Sequence, residues 1–140
     1  CDLAYSSSRA KYATPGVNIG LFCSTPMVPL SRTVGKKQAM EMLLTGDLID
    51  ANKALRIGLI NDVFEEDSLK ENVFQIAKKI SSKSSNTIKI GKEAFYKQKD
   101  MNLEDAYTFT SNVMTENMLH DDSKEGIDAF LEKREPNWKE

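Results

Sequence analysis

The sequence is poor in the residues from which most catalytic and metal centres are built. Its 140 residues include two cysteines, Cys1 and Cys23, one histidine, His120, and one tryptophan, Trp138. Two cysteines cannot make a disulfide framework, and with a single histidine they are too few for a structural zinc site. No metal and no separate cofactor is therefore expected, and a reducing compartment is the default. A hydrolytic triad would have to run through His120, which closes a helical pattern ahead of Asp122 and Ser123 and reads as an end-of-helix histidine. No apolar run reaches the ~20 residues of a membrane-spanning helix, so no membrane partner is expected. Neither sign of charge is in excess: 19 Lys and Arg face 21 Asp and Glu, for a net charge of −2. That balance argues against a dedicated nucleic-acid binder. Gly16, Gly20 and Gly35 compose neither a dinucleotide fingerprint nor a phosphate loop. An initiator methionine and a signal-like leader are also lacking, which suggests a piece of a longer chain.

What is present is globular. Hydrophobic residues make up 40% and charged residues 29%, enough for one packed unit with a core. Leu3-Ala4-Tyr5 has strand character. Ala13 to Gly20 reads as an extended segment broken at Pro15-Gly16. Asp50 caps a short helix that Gly58 ends, and Leu59 to Phe64 reads as a strand. Leu69, Val73, Ile76, Ala77 and Ile80 fall at helical spacing. Leu103, Ala106, Tyr107, Thr110, Val113 and Met114 do the same behind a cap at Asn102. Asp122 and Glu125 resemble a capping box ahead of Ile127, Phe130 and Leu131. From Lys78 to Lys99 there are seven lysines and one glutamate, whereas residues 100–140 hold eleven acids and four bases. The lysine run is either a solvated helix face or a phosphate-attracting one, and its two aromatic residues, Phe95 and Tyr96, stand side by side rather than spaced along it as stacking platforms. Cys23 is either a small buried hydrophobe or a thiol activated by a helix N-terminus.

Three ordered segments add a resemblance. Cys1-Asp2, followed by Ala13-Thr14-Pro15-Gly16-Val17-Asn18-Ile19-Gly20, is similar to the middle of the enoyl-CoA hydratase/isomerase (crotonase) superfamily, where C-D-x-x-x-A leads into F-x-x-P-E-x-x-x-G. Val34-Gly35-Lys36, the run from Ala39 to Asp47, and Ala51, Ala54, Gly58, Leu59, Ile60 and Val63 resemble its V-G-x-x-x-A, L-T-G and A-x-x-A-x-x-x-G-L segments. The run from Glu125 to Pro136 resembles its closing E-G-x-x-A-F-x-E-K-R-x-P. Ala13 to Pro26 and Gly91 to Gln98 further resemble the domain-containing protein 3 branch of that family.

The resemblance implies an α/β fold: the C-terminal part of a ClpP/crotonase-like ββα spiral over residues 1–64, then a mostly helical oligomerisation region over 65–140. It implies a trimer or hexamer and an acyl-CoA partner, with coenzyme A entering as part of the substrate. In this family two backbone N–H groups stabilise the enolate of a CoA thioester, and paired carboxylates move the water and proton of hydration. The oxyanion donors and the first acid would lie upstream of Cys1, and the second acid follows the proline of x-P-E. Here that position is Gly16, which transfers no proton. Glycine could alternatively serve a left-handed turn there.

No catalytic residue is assigned within the chain itself, and whether the protein is an enzyme stays open. Thr14, Pro15, Gly16, Val17, Leu21, Phe22 and Cys23 are the implied acyl-site residues, with Thr14 able to orient a water or a carbonyl. Phe130 and Lys133 match positions that approach the CoA nucleotide. The stretch from Leu21 to Leu30 reads as a shortened loop, with Pro26 and Pro29 in place of a glycine-rich helix start. A cytoplasmic location follows if the source is bacterial, a mitochondrial one if it is eukaryotic. Non-catalytic acyl-CoA binding is the alternative function, with RNA binding through the lysine run behind it.

Overall fold

The computed structural model describes residues 1–138. The chain divides into two compact units, one over Cys1–Ile76 and one from Ala77 onward, each of which has its own architecture.

In the first unit four short strands frame three helices. Strand β1 (Tyr5–Ser7) pairs in parallel with β4 (Asp62–Phe64), setting Ser6 opposite Val63. Parallel pairing requires a long crossover, and everything between the two strands supplies it. Strand β2 (Lys11–Tyr12) pairs antiparallel with β3 (Ile49–Asp50). Asn61 pins the start of β1 from both sides, its backbone N–H donating to the Ala4 carbonyl and its side chain accepting from the Ala4 N–H, both at 2.7 Å.

Helices α1 (Ser24–Thr33) and α2 (Lys36–Thr45) carry the core, in which Leu30, Val34, Ala39, Met42 and Leu43 are buried together. The expected loop from Leu21 to Leu30 is thus mostly helix. Pro26 sits in the first turn of α1, where a missing N–H costs nothing, and only Pro29 forfeits an internal bond. Gly46 ends α2 in the left-handed region at φ 65°. Helix α3 (Ala51–Arg56) begins as expected, with Asp50 Oδ1 accepting from the Lys53 N–H at 2.7 Å. It ends at Gly58, where the Gly58 N–H donates to Leu55 and the Leu59 N–H to Ala54, a paired closure that needs a left-handed residue. Ala51 and Ala54 are almost fully buried, so a larger side chain at either would force this short helix off its neighbours.

Helix α4 (Glu66–Ser81) follows the expected periodicity from Leu69 to Ile80. In the second unit α5 (Ser85–Gln98), α6 (Leu103–Met118) and α7 (Asp121–Glu132) form a helical array. Asn102 caps α6 as expected, accepting from the Asp105 N–H at 3.0 Å. The capping box expected from Asp122 and Glu125 does not form. Helix α7 starts at Asp121, and His120 is its cap, with Nδ1 accepting from the Asp122 N–H at 3.3 Å. Asp122 is instead buried, only 3% exposed, and its Oδ2 accepts from the Ser84 hydroxyl at 2.5 Å. Ser84 Oγ in turn accepts from the Thr87 N–H and so caps α5. Its hydroxyl therefore ties the start of α5 to the start of α7.

Glu125 has a different task from the expected one. It holds Arg134 through two hydrogen bonds, at 2.6 and 3.0 Å, and accepts from the Asn137 N–H at 2.7 Å. The hydrogen bonds that Arg134 donates to Glu125 and Glu132 hold its pKa above the ordinary arginine value, so it is charged at any working pH. The clamp folds the tail back so that the Trp138 indole N–H donates to the Ser82 carbonyl at 2.8 Å. The indole ring lies over Gly126, 3.3 Å from where a Cβ would stand.

Candidate functional site

The implied acyl-site residues form one continuous turn in the first unit. Pro15–Ile19 is a short 3-10 helix rather than the extended segment expected from sequence. Proline presets the first φ of such a helix, and Gly20, at φ 77°, ends it. The Leu21 N–H returns to the Gly16 carbonyl at 2.9 Å, which closes the turn immediately before α1.

Gly16 is not in the left-handed region; only Gly20, Gly46 and Gly58 among the glycines are. Its reason for being glycine is close approach. A Cβ there would stand 2.6 Å from the Leu21 carbonyl oxygen and 2.8 Å from Cys23 Sγ, both inside van der Waals contact. The Gly16 N–H also donates to Cys23 Sγ at 3.3 Å. Cys23 packs against the α1–α2 core and is partly buried, and it also stands at the N-cap of α1 without a side-chain cap hydrogen bond.

The remaining members divide by exposure. Leu21 is 63% and Phe22 44% exposed, an apolar edge beside the turn. Pro15 is exposed and Val17 partly buried. Val17 leans on the end of α2, its Cγ1 lying 3.0 Å from where a Cβ on Gly46 would be. Thr14 is buried, 8% exposed, and its hydroxyl has no hydrogen-bond partner among the described residues. It lines an open cavity of about 650 Å³ with Tyr12, Pro26, Pro29 and Leu30. That cavity takes Thr14 alone of the implied set; Pro15 to Cys23 lie outside its lining.

Phe130 and Lys133 belong to the second unit. Phe130 is 82% exposed and borders an apolar groove with Met118, Ile127, Leu131 and Trp138. Lys133 is exposed and stands at φ 57°, the one non-glycine residue with positive φ among those described. Its N–H donates to Phe130 and the Arg134 N–H to Ala129, the same closure that Gly58 makes in α3. Within the lysine run, Lys97 Nζ lies 4.7 Å over the Phe109 ring, which gives at least that lysine an internal partner.

Sequence reasoning missed the Ser84–Asp122 pair, because the two residues are far apart in the chain and local capping accounts for each. It also missed the Gly16–Cys23 contact. The clue available there was a glycine followed, after a turn, by a small soft side chain, and that is too common a pattern to single out. Among the described residues no cluster of His, Cys, Asp and Glu could hold a metal ion.

Comparison with known proteins bears on these positions as a set. The sequence matches the enoyl-CoA hydratase/isomerase family over residues 1–140. It is 50% identical over 138 residues to enoyl-CoA hydratase domain-containing protein 3, mitochondrial, of Mus musculus, covering 99% of this chain and 46% of that protein. The fold is similar to an enoyl-CoA hydratase of Mycobacterium smegmatis, with a TM-score of 0.95 at 43% identity, covering 99% of this chain and 54% of that one. It is equally similar to human enoyl coenzyme A hydratase domain-containing protein 3, with a TM-score of 0.94 at 49% identity, covering 99% and 55%. The chain spans about half the length of the curated relatives it matches. The α/β architecture, spiral strands followed by helices, is thus the one the resemblance implied. The chain belongs to the enoyl-CoA hydratase/isomerase family.

Proposed function

We propose that the whole protein binds an acyl-CoA thioester and acts on it without an acid–base group at residue 16. The observation that carries this reading is the closure at Gly16. A hydratase of this family needs a carboxylate there by the resemblance, whereas this turn leaves no room even for a Cβ. Paired carboxylates divide the water and proton steps of hydration, so a site with one of them missing must use a different proton route or bind without turnover. Leu21 and Phe22 supply apolar surface for the acyl chain, and Thr14 supplies an uncommitted hydroxyl able to orient a carbonyl or a water. Phe130 and Lys133 offer an aromatic face and a cation to the nucleotide end of coenzyme A. The exposed apolar side chains of α6 and α7 supply an interface for a trimer or hexamer. The mitochondrial relatives support a mitochondrial location.

The same closure favours a second reading, a non-catalytic acyl-CoA-binding or regulatory subunit. Both are tested by giving the whole protein crotonyl-CoA and a 3-enoyl-CoA, with turnover and binding measured side by side. Turnover of either supports the first reading, and tight binding of both without turnover supports the second. Absence of binding as well as turnover overturns the two together. Restoring Glu at Gly16 alone does not separate them, because a side chain there must first displace the Leu21 carbonyl.

A further inference from the structure

We infer that the apolar groove of the second unit is a binding site for a primary ammonium carried on an apolar body. The inference goes beyond the acyl-CoA reading and uses neither the turn at residues 14–23 nor Lys133. The groove encloses about 670 Å³, and Ile88, Met118, Ile127, Leu131 and the Trp138 ring are among its walls. The Trp138 wall is preformed, since its indole N–H is bonded to the Ser82 carbonyl and its ring lies over Gly126. Walls of this kind take hydrocarbon, and the few polar groups set among them decide which head group is accepted.

Two side chains in that lining, Asp122 and Asn117, carry an oxygen that is buried and without a hydrogen-bond partner among the described residues. Asp122 is only 3% exposed, and its Oδ2 is taken by the Ser84 hydroxyl while its Oδ1 is left over. Asn117 contributes its Oδ1 from the end of α6. A buried acceptor without a donor is costly, and a carboxylate oxygen more so than a neutral one. Ser84 cannot serve both oxygens of Asp122, because its one proton goes to Oδ2 and its own oxygen accepts from the Thr87 N–H. Lys83, an exposed residue, also lines the groove, yet no ion pair joins it to Asp122 among the described residues. Both orphaned atoms accept, so the head group must donate, and more than once. A neutral donor would satisfy the oxygens and leave the carboxylate charge uncompensated. A primary ammonium supplies three donors and the opposite charge on one compact atom.

The test titrates the whole protein, in amine-free buffer, with n-hexylammonium, n-hexanol and hexanoate, probes that share an apolar tail and differ in the head. Binding is read from heat and from tryptophan emission, and Trp138→Phe identifies the part of the emission change that belongs to this groove. Hexylammonium is expected to bind at least about tenfold more tightly than hexanol, and hexanoate more weakly than hexanol. Equal affinity for the three heads overturns the inference, because the groove then holds hydrocarbon only and water satisfies its oxygens. An emission change that survives intact in Trp138→Phe also overturns it, since the ammonium then binds elsewhere.

Two substitutions assign the head to its oxygens. Asp122→Asn keeps the shape and an acceptor for Ser84 while placing a donor where the second oxygen stood. It is expected to bring hexylammonium to within about twofold of hexanol. Asn117→Leu is expected to weaken hexylammonium about three- to tenfold with hexanol little changed, and it decides the matter if Asp122→Asn fails to fold. A preference for the ammonium undiminished in either folded variant overturns the inference. Crotonyl-CoA titrated into the same samples keeps the two readings apart: its failure to bind beside an intact ammonium preference overturns the acyl-site reading alone.

Discussion

Lys133 stands where a helix normally ends in glycine. Holding a lysine at φ 57° costs about 1 kcal/mol relative to glycine, and such strain persists where a side chain has another use. Lys133→Gly is therefore expected to stabilise the protein by about 0.5–1 kcal/mol in urea unfolding while weakening coenzyme A binding, increasingly so at low salt. Thr14 presents the same opposition. Its buried hydroxyl lacks a partner among the described residues, a condition that costs about 1–3 kcal/mol. Thr14→Val, nearly the same shape, is expected to leave stability equal or higher in urea unfolding and to reduce acyl-CoA affinity by titration. If both stability and affinity are unchanged, the hydroxyl has no role in the site. Ser84 makes a third case. Ser84→Ala removes a helix cap and the donor to the buried Asp122 at once, with an expected loss of about 2–4 kcal/mol in the same assay.

At the scale of elements, local signals were legible and long-range ones were not. Asp50, Gly58 and Asn102 could be read as caps because a cap is written within four residues, and each sits where expected. Helix α1 was hidden by Pro26 and Pro29, which read as loop residues, although Pro26 falls in a first turn that accepts proline without loss and only Pro29 costs an internal bond. The extended segment expected at Ala13 to Gly20 became a 3-10 helix because the turn closes on Leu21, a contact that residue types do not announce. Asp122 was misread because its local pattern fits a capping box, while burial against Ser84 claims its carboxylate. The closing segment was legible as a family motif, and the structure supplies its physics: Glu125 and Arg134 clamp the tail, and Gly126 makes room for Trp138. Trp138, the one tryptophan of these 140 residues, makes the tail a fluorescence reporter. Arg134→Ala is expected to red-shift Trp138 emission and expose it to a soluble quencher, and an unshifted spectrum would show that the tail is held without the clamp.

At the scale of the whole molecule, each of the two units offers a surface of its own. The first offers the turn at residues 14–23, and the second offers Phe130 and Lys133. The second unit leaves apolar side chains exposed, Leu103, Tyr107, Leu119, Phe130 and Leu131 among them, and exposed apolar surface of this kind marks contact sites where it is contiguous. The whole protein is accordingly expected to run as a trimer or hexamer by light scattering, and Leu119→Asp to shift it toward monomer. The family could be read from ordered motifs, and 50% identity to a relative bears the reading out. The missing acid could be read at Gly16 through that resemblance, whereas the contacts that exclude a side chain there could not. The measurement that tests the account most directly is calorimetric titration of the whole protein with crotonyl-CoA and with free coenzyme A, followed by a hydration assay on the same sample. The account predicts crotonyl-CoA bound at least about tenfold more tightly than coenzyme A, with hydration either absent or carried by a proton route that does not use residue 16. Equal affinity for the two ligands would contradict it, since the turn at Thr14 to Cys23 would then hold no acyl group.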